Sequence, residues 1–207
     1  MGTVSKKRGN NTTDTSILDV LTREHKLVDK LMAKIEENLE SESFDEVPEL
    51  FEVLKTKLTA HARGEEMRVY PAMREMSDEL KDMIGEANEE HALVHDKLAE
   101  LSGLSADDDE FKAKFTVLKD LVQHHVEEEE GEIFPEARKA AEDDQLIELT
   151  ALYMEAKREV LGDKAEEVTE LELEVMTKDD LLAQAKEMGV QATSSMTKAE
   201  LVEAMRQ

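Results

Sequence analysis

The sequence predicts an all-α protein: an antiparallel up-and-down four-helix bundle, an extra helix and a small C-terminal two-helix module. Three observations carry that expectation. Apolar residues recur at alternating spacings of three and four through four segments of helical length, which is the seam of an amphipathic helix. Leu, Val, Ala and Met are set among abundant Glu and Lys, aromatics make up only 3% and Pro occurs three times, so nothing reads as a run of strands. The links between the four segments are short, which favours antiparallel neighbours.

The elements follow in order. Residues 1–14 are polar and read as a disordered leader. The first helix is expected from an N-cap at Thr15 or Ser16 to about Ser41, with a seam of Leu18, Leu21, Val28, Met32, Ile35 and Leu39 and with His25 in the missing slot. The second starts near Pro48 and carries Val47, Phe51, Leu54, Leu58, His61 and Glu65 in phase, until Pro71 kinks or ends it. The third follows Ser77 with Leu80, Ile84, Ala87, His91, then Val94 or His95, Leu98 and Leu101. After a loop over Ser102 to Asp109, the fourth holds Phe111, Phe115, Leu118, Val122, His125 and Glu129, and Pro135 closes the motif. An extra helix is expected over Asp143 to Leu161, which places the bundle at residues 15–161, an acidic linker at 162–175 and a separate unit at 176–207.

Charge and composition exclude several function classes. A formal net charge of −25 disfavours binding of a nucleic-acid backbone or an anionic membrane through the surface at large. Cys is absent, which removes disulfides, Cys-ligated zinc, iron–sulfur clusters and thiol catalysis together, so any metal must take N and O ligands. No apolar run is long enough to span a membrane and the start lacks a signal-peptide core, so a cytoplasmic location is the default expectation.

The strongest motif is a repeat. His61-Ala-Arg-Gly-Glu65-Glu-Met-Arg-Val-Tyr-Pro71 parallels His125-Val-Glu-Glu-Glu129-Glu-Gly-Glu-Ile-Phe-Pro135. In each, His and Glu four residues apart share one helical face. Glu24-His25-Lys26-Leu27-Val28 likewise matches Glu90-His91-Ala92-Leu93-Val94, and each lone His precedes its partner motif by a similar distance, 36 and 34 residues. Two such hairpins facing each other would bring four His and two Glu to one point, with His95 adding a fifth imidazole. Ionisable side chains in apolar seams are normally paired or bound to metal, because burying them alone costs several kcal/mol.

Ligand type narrows the metal. Structural zinc prefers four ligands, and calcium and magnesium prefer oxygens, whereas imidazole with carboxylate in a helical bundle suits iron or manganese. Two octahedral ions need twelve positions. Two bridging carboxylates fill four, five His fill five and a bridging oxo or hydroxo group fills two, which leaves one open for O₂, peroxide or nitric oxide.

Residues 17–138 resemble a haemerythrin-like (HHE cation-binding) domain, on the pattern His25, His61-x-x-x-Glu65, His91, His125-x-x-x-Glu129. The resemblance covers about 60% of the chain. It implies a centre of two Fe ions, with Glu65 and Glu129 as bridging carboxylates and His25, His61, His91, His95 and His125 as terminal ligands. The oxygen-carrying haemerythrins place an Asp five residues after the last His. Here a Glu stands at the fourth, which tilts the expectation from simple O₂ carriage toward the bacterial haemerythrin-like proteins, which resemble sensors, peroxide-handling or iron-handling proteins.

The surroundings of the motif carry further expectations. His124-x-x-x-Glu128 offers a rival phase, but the seam and the proline register both choose His125, leaving His124 at the surface or beside a ligand. Glu66 and Glu130 are candidates to hydrogen-bond ligand His from outside. Tyr70, which matches Phe134, is expected to pack under the site. The expected function is therefore O₂ binding or reaction with peroxide or nitric oxide at a carboxylate-bridged iron pair. The alternative is a non-catalytic iron or oxygen sensor, or an iron store, and the sequence assigns no catalytic residue.

The C-terminal unit resembles a Rho N-terminal or SAP-like helix–loop–helix module. Thr177 and Thr197 each open a helix with a capping-box pattern, Gly189 is a natural stop and Val190 to Ser195 an extended loop. Residues 176–207 hold four Lys or Arg against more acids, so the phosphate-binding footprint is missing and a protein contact is the expected role.

Overall fold

A computed structural model of the chain describes residues 15–162, 170–187 and 189–205, and every regular element among them is helical. The expected leader and residues 163–169 of the expected linker lie outside the described residues. Helix α1 spans Ile17–Glu40, with the Ser16 hydroxyl accepting the Leu18 N–H at 3.3 Å as N-cap. A 3-10 turn at Phe44–Glu46 leads into α2, Val47–Gly64, with Pro48 in its first turn. Helix α3 is Tyr70–Arg74, α4 is Asp78–Leu101 behind the Ser77 cap, and α5 is Asp109–Glu128 behind Asp108. Helix α6 is Phe134–Ala140 and α7 is Asp143–Leu161.

Pro71 and Pro135 mark an interruption of the regular helix, the kink that is one of the two expectations for Pro71. A five-residue π turn precedes each, at Glu65–Val69 and at Glu129–Ile133. In these turns the Tyr70 N–H donates to the Glu65 carbonyl and the Phe134 N–H to the Glu129 carbonyl. The widened turn shifts the ladder by one residue, so each proline stands in the first turn of a new helix, where no N–H is needed. Both π turns begin on the glutamate of a His-x-x-x-Glu motif.

The bundle core is split in two. One cluster takes Val28 to Leu39 of α1, Val47 to Leu58 of α2, Val94 to Leu101 of α4 and Phe111 to Val122 of α5. The other takes Ile17 to Leu21 of α1, Leu80 to Ala87 of α4, the residues around Tyr70 and Phe134, and Leu146, Leu149 and Tyr153 of α7. Between them, at the same level on four helices, lie His25, His61 with Glu65, His91, and His125 with Glu129, all buried. A polar layer thus interrupts an otherwise continuous seam, and the hydrophobic clusters on either side hold it in register.

Helix α7 packs along α1, α2 and the first π turn. Its close approach depends on Gly64. A Cβ there would stand 2.5 and 2.7 Å from two ring carbons of Tyr153 and 3.3 Å from Lys157 Cγ. We predict that Gly64→Ala destabilises the fold by about 1–3 kcal/mol, because overpacking outweighs the roughly 1 kcal/mol gain in helix propensity. Denaturant unfolding checks this; an equal or higher midpoint would contradict the packing.

The C-terminal unit holds α8 (Glu170–Val175), α9 (Lys178–Glu187) and α10 (Lys198–Met205). Glu170–Val175 fall within the stretch read as linker, yet Leu173 is buried with Met176, Leu181, Ala185 and Leu201. Both capping boxes form: the Thr177 N–H meets Asp180 at 2.8 Å and the Thr197 N–H meets Glu200 at 2.7 Å. Gly189 adopts φ +72°, the left-handed stop that glycine tolerates. The unit sits against α1 and α2 through Leu27, a Lys30–Asp180 ion pair and a Lys57–Glu172 pair at 2.6 Å.

Candidate metal centre

Each seam histidine reaches the polar layer from a helix whose apolar phase leaves it no other direction. His25 and His61 meet with Nε2 atoms 3.2 Å apart, and His91 and His125 meet at 3.1 Å. Two glutamates tie the pairs together. Glu65 Oε2 lies 3.2 Å from His61 Nε2 and 3.5 Å from His91 Nε2, while Glu129 Oε2 lies 3.2 Å from His25 Nε2 and 3.6 Å from His125 Nε2. Each carboxylate therefore stands between one imidazole of each hairpin, as the repeat requires.

The far nitrogens of these imidazoles face a second ring of carboxylates. His25 Nδ1 is 2.8 Å from Glu130, His61 Nδ1 is 3.1 Å from Glu24 and His125 Nδ1 is 2.8 Å from Glu90. His91 Nδ1 lies 3.3 Å from Glu66, outside good hydrogen-bond geometry. A neutral imidazole carries one N–H, and a carboxylate at Nδ1 draws that proton there. The Nε2 lone pairs are then turned inward at each other, an arrangement that a cation relieves. Two nitrogens bound side by side to one first-row ion at about 2.1 Å stand about 3 Å apart, close to both observed separations.

The carboxylates point the same way. Both oxygens of Glu65 and Oε2 of Glu129 are buried without a hydrogen-bond partner. The Tyr70 hydroxyl donates to Glu129 Oε1 at 2.7 Å, whereas Phe134, its counterpart in the repeat, has nothing to offer Glu65. Tyr70 stacks on His91 and Phe134 on His25, with centroids 5.4 and 5.9 Å apart. Leaving buried carboxylate oxygens unpaired costs several kcal/mol unless a proton or a cation answers them. The donor set thus fits one or two cations.

Protonation follows from the same crowding. Burial, and then the negative Glu129 beside it, hold the Glu65 carboxyl well above its usual range. Burial would also raise Glu129, but His125, His25 and His61 around it hold it below the usual range. Burial disfavours charge on His25, yet the Glu129 and Glu130 carboxylates beside it outweigh that and raise it to about 9. His61, buried beside His25, is pushed down to about 4 in spite of Glu24. Without metal, protons on His25 and Glu65 stand in for cations.

The structure brings together six of the seven sequence candidates. His95 is the exception: it stands one turn beyond His91, only half-buried, and joins neither cluster, with its Nε2 buried and unpartnered. The next turn of α4 points Val94 into the core instead. His124 has 61% of its side chain exposed and pairs with Glu128 at 3.2 Å, so the choice of His125 for the seam agrees with the structure. Sequence reasoning missed Glu24 and Glu90, although the repeated Glu-His pair was its signal. It also missed Tyr153 and Lys157, whose spacing of four puts both on one face of α7. The Tyr153 hydroxyl donates to Glu24 at 2.6 Å, and Lys157 Nζ to its other oxygen at 2.6 Å.

Comparison with known proteins decides the family. A family model described as the Hemerythrin HHE cation binding domain matches residues 16–137. The chain belongs to that haemerythrin family. This haemerythrin-like chain is also matched over residues 172–207 by a model of the Rho termination factor N-terminal domain. An uncharacterised hemerythrin-like protein of Schizosaccharomyces pombe is 24% identical over 145 residues, covering 70% of each chain. A protein of Nostoc sp. named as a DNA nickase is 26% identical over 155 residues, covering 74% of this chain but 42% of the relative. The present chain thus spans less than half the length of the Nostoc protein. No solved structure matches significantly. Among the described residues no helix is long and apolar enough to cross a membrane.

Proposed function

We propose that the polar layer of this haemerythrin-like bundle holds two iron ions, and that the protein binds O₂ or reacts with peroxide or nitric oxide there. The observation that carries the reading is the pair of inward-facing Nε2 contacts, at 3.2 and 3.1 Å, set against buried carboxylate oxygens that lack donors. In this reading His25 and His61 would hold one ion and His91 and His125 the other, with Glu65 and Glu129 available to both. Iron in such a shell supplies reversible one-electron oxidation and an exchangeable position for a small ligand.

The chain's own residues do the rest. Glu130, Glu24 and Glu90 hold protons on the Nδ1 atoms of His25, His61 and His125, which orients each ring and raises the basicity of its Nε2. Tyr70 anchors one oxygen of Glu129, whereas neither oxygen of Glu65 has such a donor, so both would be available to a cation. The apolar clusters on both sides exclude bulk water from the layer.

Loading the metal-free chain with iron(II), followed by air, peroxide or nitric oxide, tests this reading. The expected result is close to two iron per chain and a near-ultraviolet charge-transfer band that each ligand alters. Absence of retained iron would overturn it. Iron uptake that raises the melting temperature while the spectrum ignores all three ligands would instead mark a sensor or store.

A further inference from the structure

We propose that Tyr153 and Lys157 of α7 are positioning residues that make the two metal positions unequal. The position of His25 and His61 then fills later and more weakly than that of His91 and His125. The inference rests on the paired-metal reading above and deepens it.

The internal repeat supplies its own comparison. Glu24 and Glu90 are equivalent: each precedes a lone His, and each accepts from the far nitrogen of the His on the neighbouring helix of its hairpin. Glu90 Oε2 lies 2.8 Å from His125 Nδ1, and no α7 residue shares it. Glu24 Oε2 is shared between the Tyr153 hydroxyl at 2.6 Å and His61 Nδ1 at 3.1 Å, and its Oε1 is taken by Lys157 at 2.6 Å. The longer contact to His61 is what a shared, neutralised acceptor should show. A carboxylate strengthens a ligand imidazole to the extent that it draws the Nδ1 proton, and Glu24 has less charge left to do so.

Lys157 is 7% exposed, so its positive charge acts through the protein interior, where repulsion of an incoming cation is strong. Arg63 of α2 brings another cation to Glu66, behind His91. With 54% of its side chain exposed, that charge is screened by water. The asymmetry is written into the repeat itself. Gly64, against which the Tyr153 ring rests, corresponds to Glu128 in hairpin two, whose side chain turns to the exposed His124 at 3.2 Å.

Cobalt(II) titration of the metal-free 207-residue chain, followed by calorimetry and visible absorption, tests the proposal. The wild type is expected to bind in two steps whose affinities differ by about tenfold or more. His61→Ala abolishes the weaker step and His125→Ala the tighter one. Lys157→Met strengthens the weaker step by about tenfold, and Tyr153→Phe, which keeps the ring against Gly64, moves it the same way by less. A purely structural role would weaken binding in both variants. Two equal wild-type steps, or weaker binding in Lys157→Met and Tyr153→Phe, would overturn the inference and leave the paired site standing. Failure of the wild type to bind cobalt at all would overturn the paired site with it.

Discussion

Glu65→Gln should leave the metal-free protein at least as stable as the wild type while lowering its metal affinity more than about a hundredfold. Both effects have one cause. Glu65 is fully buried, neither oxygen has a donor, and burial beside Glu129 keeps it protonated when metal is absent. A neutral amide of the same shape therefore changes little in the metal-free fold, and it removes the ionised side chain that the unfolded state prefers. With metal, the bridging negative charge is gone. Thermal melts with and without metal, together with metal content after dialysis, read both quantities. A metal-free variant that melts well below the wild type would show that Glu65 has a structural partner; retained stoichiometric metal would remove it from the ligand set.

The metal-free protein should lose about 3 kcal/mol of stability between pH 6.5 and pH 9 through His25 alone. Its folded-state value of about 9 lies above the ordinary 6.5. The stabilisation is therefore complete below pH 6.5 and disappears as pH rises through 9. Glu65, whose value is also raised, adds loss of the same sign. Metal binding runs the other way, because it must displace those two protons, so affinity should climb over the same interval. The gap in melting temperature between loaded and metal-free protein is thus expected to widen with pH. A gap that stays constant or narrows from pH 6.5 to 9 would contradict the protonation pattern.

The seam made most of this architecture legible before any coordinates. Histidines at positions where Leu or Val was due placed the polar layer, and the duplicated His-x-x-x-Glu motif placed it at one height on all four helices. The outer ring was harder to read. Glu24 and Glu90 lie one residue off the seam, where an acidic side chain looks like any solvated charge. Tyr153 and Lys157 stand more than ninety residues from His61 along the chain, and nothing local marks a side chain that acts at such range. The π turns left no sign either, because a widened turn follows from hydrogen-bond bookkeeping around Pro71 and Pro135 rather than from residue preference. His95 stands outside the cluster because the core-facing phase of α4 passes through Val94, which leaves the neighbouring His95 only half-buried beside it.

The polar layer also has a mechanical meaning. A protein without cysteine cannot cross-link its helices covalently, and among the described residues six buried ionisable side chains lie between its two hydrophobic clusters. Ligation would clasp four helices at once, closing chain loops from His25 to His61, on to His91 and on to Glu129. Loops of that size carry the entropy that a disulfide removes from an unfolded chain. The layer that interrupts the core would then serve, when filled, as a staple across all four helices, and loss of metal should loosen the bundle from its middle rather than fray it from its ends.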